Sequence, residues 1–111
     1  MNGVPMSPAA AALLRALIAR AGVARDRIFL IEAKSTDWQS LVFTGERHRI
    51  LLGIPAPDSG PVVERMCSGL EDAEFEIAGV IVADIQIDGV PVCRPDGSIS
   101  VSIEALTVAE N

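Results

Sequence analysis

The stretch "GERHRILLGI", residues 45–54, holds the only histidine of the chain. His48 stands between Arg47 and Arg49 in a protein of net charge −6. If the triplet is one basic cluster, it suggests a ligand-binding or catalytic site. If the stretch is a strand, its side chains divide between two surfaces, because successive residues point to opposite faces. His48, Ile50, Leu52 and Ile54 then share one face, and Arg47, Arg49, Leu51 and Gly53 share the other. The strand reading is favoured. It makes the imidazole the rim of an apolar row, hydrogen-bonded to backbone or carboxylate, and it separates the ring from both guanidinium groups.

Upstream, "RIFLIEAK" at 27–34 is rich in branched and aromatic residues and reads as a strand. "STDW" at 35–38 reads as a turn or strand irregularity, and "QSLVFT" at 39–44 as a second strand. Gly45-Glu46 then serves as the tight connection into the third. Trp38 falls within the turn at 35–38, where it caps the core or anchors an interface, the latter a common use of tryptophan. Further upstream, Ser7-Pro8 opens a helix, since serine caps free amides and proline is tolerated in the first turn. Leu13, Leu14, Leu17, Ile18 and Ala21 line one face of it, and Gly22 ends it.

Downstream, "PAPDSGP" at 55–61 separates two halves. A second helix is expected over 60–72, with Val62, Val63, Met66, Cys67 and Leu70 repeating the spacing of the first. "AEFEIAGVIVADIQID" reads as one long strand bent or bulged at Gly79, with Phe75, Ile77, Ile81, Ala83, Ile85 and Ile87 on one face. Glu74, Glu76, Asp84 and Asp88 then form an acidic row on the other. "VPVCR" is a short strand, edge or irregular, because Pro91 lacks an amide donor. "SISVSIEALTV" alternates, with Ile99, Val101, Ile103 and Ala105 inward.

The order predicts one α+β domain over residues 1–111, with two helices packed on an antiparallel sheet as αβββαβββ; αββαββ is the alternative. Half-units 7–54 and 60–108 are compatible with an internal repeat, as they are with any helix-plus-meander domain.

Half of the residues are hydrophobic and few are aromatic, a globular composition with an aliphatic core. Residues 1–54 carry seven basic side chains against four acidic, net +3, and residues 55–111 two against eleven, net −9. The net charge of −6 argues against a nucleic-acid binder. The division predicts attraction between the halves, within one chain or between copies. The N-terminal apolar run lacks a positive n-region, and Arg15 and Arg20 interrupt it, so neither a signal peptide nor a membrane span is expected. Cys67 and Cys93 form no C-x-x-C pair, and two buried, reduced thiols in a cytoplasmic protein are expected.

No phosphate-binding loop, dinucleotide fingerprint or G-x-S-x-G elbow occurs. No ligand spacing supports a metal, and no cofactor is expected. Two function classes remain. The favoured one is a non-catalytic binding or assembly module, most simply a homo-oligomer, with Glu74, Glu76, Asp84 and Asp88 opposite Arg47 or Arg49 of a second copy, or facing another protein. The other is a small-molecule binder or enzyme using His48 with an arginine or a carboxylate.

Overall fold

Residues 6–110 are described by the computed structural model. Helix α1, Pro8–Ala21, begins as expected: the Ser7 hydroxyl accepts from the Ala10 amide at 3.1 Å, and Pro8 takes the first turn. It ends at Gly22, whose φ of 72° is one that a side chain would oppose. Strands β1 (Phe29–Gln39) and β2 (Thr44–Ile54) form an antiparallel hairpin. Helix α2 (Ser59–Cys67), strand β3 (Val80–Ile87), the two-residue β4 (Val92–Cys93) and β5 (Ile99–Ala109) follow, with short 3-10 turns at Arg25–Arg27 and Leu70–Asp72. The sheet order is β1-β2-β5-β3, with β4 also paired to β5. The molecule is an α+β fold of two helices on a five-stranded antiparallel sheet.

Both helices cover the same face of the sheet. Leu13, Leu14, Leu17 and Ile18 of α1 and Val62 and Met66 of α2 meet Ile50, Leu52 and Ile54 of β2 and Val101 and Ile103 of β5 in one core. Burying each such leucine or isoleucine contributes about 1.5–3 kcal/mol, so this face holds the fold. Arginines lock the helix ends reciprocally. Arg20 of α1 donates to the Met66 carbonyl at 3.0 Å and to that of Ser68, while Arg65 of α2 donates to the Ala21 carbonyl at 2.9 Å. Each helix thus supplies the cation for the other's unpaired C-terminal carbonyls.

The details correct several expectations. The first half has two strands, giving αββαβββ. β1 runs unbroken through Asp37 and Trp38, and the hairpin turns at Leu41-Val42, where Ser40 and Phe43 pair. Gly45 lies within β2, at a point where a Cβ would stand 1.9 Å from the Thr107 carbonyl oxygen. Helix α2 stops at Cys67, ahead of Gly69 at φ 67°. β3 begins only at Val80, and its pairing slips at Ala83. The bulge turns Ile81 away from the core face and puts Val82, Ile85 and Ile87 on it. The halves share the order helix, outer strand, inner strand, but the structure does not establish a repeat.

Candidate functional site

Register places each candidate. Residues directly opposite in an antiparallel pair lie on the same face. His48 is opposite Ser35 and Ala105 on the helix-covered face and is 3 % exposed. Its Nδ1 is 2.7 Å from the Ser35 hydroxyl and its Nε2 is 2.8 Å from the Thr107 hydroxyl. One hydroxyl donates to the ring and the other accepts from it, which suits a neutral imidazole. Burial pushes its pKa down, against the nearby Glu46 carboxylate, which pulls it up. Glu46 in turn accepts from the Ser7 hydroxyl at 2.9 Å, tying the start of α1 to the sheet.

Arg47 and Arg49 occupy the open face, away from both helices and from the imidazole ring. Arg49 donates to Glu104 at 2.7 Å and lies 3.7 Å from Asp88. That pairing raises the Arg49 pKa and lowers that of Glu104. Lys34, Thr36, Arg47, Arg49 and Glu104 line a shallow depression of about 250 Å³. His48 borders it as well, but since its ring lies on the opposite face it offers only main chain there.

Five rows cross the open face. Trp38, Gly45, Val108 and Ile81 form the first, and Val108 is buried although no helix lies above it. Thr36, Arg47, Leu106 and Asp84 form the second, followed by Lys34, Arg49, Glu104 and Gln86. Glu32, Leu51 and Ser102 come next, where Asp88 donates its amide to the Ser102 carbonyl. The last is Phe29, Gly53, Ser100 and Val92. The β1–β2 side carries Lys34, Arg47 and Arg49. The β5–β3 side carries Asp84, Asp88 and Glu104.

The structure therefore joins Trp38, Arg47, Arg49, Asp84 and Asp88 on one surface and leaves His48 behind it. Glu74 and Glu76 do not join them. They lie in the irregular segment 73–76, and Glu76 borders a depression with Ala12 and Arg15 of α1. The acidic row expected on one long strand is broken, because β3 starts after Gly79. Among the described residues, no group of three or more histidine, cysteine, aspartate or glutamate side chains is placed to hold a metal ion.

Sequence reasoning missed the apolar members of this surface. Leu41 is 104 % exposed, and Val42 and Phe43 beside it are also exposed at the hairpin tip. Phe29, Ile31 and Ile81 are exposed on the sheet. Alternating patterns would have found them only with the true turn and the bulge in place. No family model, curated protein or solved structure matches the chain.

Proposed function

We propose that this chain is a non-catalytic assembly module that associates with copies of itself through the open face of its sheet. One observation carries the reading. Every exposed large hydrophobic residue among those described belongs to the sheet, its hairpin tip or the β3–β4 connection, and none belongs to a helix. On the open face these apolar residues lie in the first and last rows, with the charged rows between them, and exposed apolar groups bordered by charge are a feature of interaction surfaces. The two edge strands and the charge division between the halves support the same reading. Two free cysteines are in keeping with a cytoplasmic setting. A site built from His48 with an arginine has less support, since ring and guanidinium groups face opposite ways.

Light scattering on the purified protein at tens of micromolar tests the reading. A dimer or larger species is expected in low salt. Moderate salt should weaken it only modestly, because buried apolar area is not screened. A monomer in low salt overturns the reading.

A further inference from the structure

We infer that two copies pair their open faces across a two-fold axis running along the strands, in the seam between β2 and β5. The inference rests on the self-association proposed above and specifies its geometry.

The charge layout selects the axis. Lys34, Arg47 and Arg49 lie on the β1–β2 side of the seam, and Asp84, Asp88 and Glu104 on the β5–β3 side. A two-fold along the strands exchanges left and right between facing copies, so each basic side meets the partner's acidic side. A two-fold in the same plane but across the strands would set basic on basic and acidic on acidic, which is unfavourable.

The apolar residues follow the same rule. In the first row Trp38 faces Ile81 of the second copy, while Val108 between them is already buried within its own chain. In the last row Phe29 faces Val92. In the second row Thr36 faces Asp84 and Arg47 faces Leu106, one strand spacing from Asp84 and within reach of its carboxylate. Glu32 alone meets a like charge, Asp88, which Arg49 of its own chain already attracts. Stacked sheets turn by about 30° relative to each other, an offset that long basic side chains span.

The size is sufficient. Four strands at about 4.8 Å spacing and about ten residues at about 3.3 Å rise give a face of about 600 Å². Two such faces bury about 1,200 Å², the lower bound of stable interfaces, before the exposed hairpin tips are added.

Arg47→Glu and Asp84→Arg test the geometry, since both residues are exposed and neither touches the core. Each variant alone should self-associate at least tenfold more weakly than the unaltered protein, because each places like charges together twice. Mixed in equal amounts, the two should form a heterodimer within about threefold of the original affinity. There, the carboxylate introduced at position 47 of one chain would meet the guanidinium introduced at position 84 of the other, while the second contact keeps its native charges. Circular dichroism confirms that each variant is folded. Unaltered self-association by the single variants overturns this geometry while leaving self-association intact. Weakened singles without rescue on mixing place the axis elsewhere and also overturn it. A monomeric unaltered protein overturns both the geometry and the reading beneath it.

Discussion

His48 shows how a rare residue can be structural. Its ring spans from Ser35 on β1 to Thr107 on β5, linking three strands on the helix-covered face. Its folded pKa lies below the ordinary value of 6.5, so as pH falls the unfolded chain takes up the proton first. The stability due to the neutral ring is therefore complete above about pH 6.5. It is lost as pH falls from there through the folded value. Glu104 and Asp96, both pushed down, titrate below this window. Urea midpoints should thus decline between pH 7.5 and 5.5. His48→Gln should flatten that decline and cost about 1–2 kcal/mol at neutral pH through its altered hydrogen bonds. An equal decline in the variant would assign the effect to other groups. The cysteines separate in the same way. Cys67 is half-buried and burial raises its pKa, whereas Cys93 is exposed, contrary to the expectation of two buried thiols. In native buffer at pH 7.5, a thiol reagent should label Cys93 at least tenfold faster than Cys67, with no disulfide between them. Similar rates would contradict the burial.

Among the elements, α1, β2 and β5 were legible because each keeps one unbroken periodicity. Elements whose pattern is interrupted were not. The hairpin turn at Leu41-Val42 has no residue at positive φ, so it needs neither glycine nor asparagine, and the nearby Gly45 drew the turn to itself. The available signal was Ser40, whose hydroxyl accepts from the Phe43 amide at 3.1 Å. In β3, the unpaired Ala83 inverts the alternation, so Ile81 was assigned to the core and Asp84 to a row with Glu74 and Glu76. Arg20, in the last turn of α1, caps the end of α2 rather than its own. Arg20→Met should keep the aliphatic packing and lose the capping, lowering stability by about 1–2 kcal/mol in urea unfolding. A larger element-level effect is expected from Gly45→Ala. Its Cβ would collide with the Thr107 backbone, forcing β2 and β5 apart at a cost of about 1–3 kcal/mol. A neutral result would show that the strands give way freely there.

Across the whole molecule, the charge division of the chain becomes a left–right division of the open face. The basic half of the sequence supplies β1 and β2, and the acidic half supplies β3 and β5. Antiparallel pairing of β2 with β5 brings the two halves edge to edge. The attraction between halves was legible in the sequence, but its direction across a face was not, because it depends on strand order. Trp38, the single tryptophan, sits half-buried on this face and reports directly on whether the face is covered. Its fluorescence should be followed as the protein is diluted from tens of micromolar to well below one micromolar, with acrylamide quenching at each step. Association through the open face requires emission to move to the red and quenching to increase as the mass by light scattering falls toward that of one chain. If the mass falls while Trp38 emission and quenching stay constant, the copies meet elsewhere and the open face is not the interface.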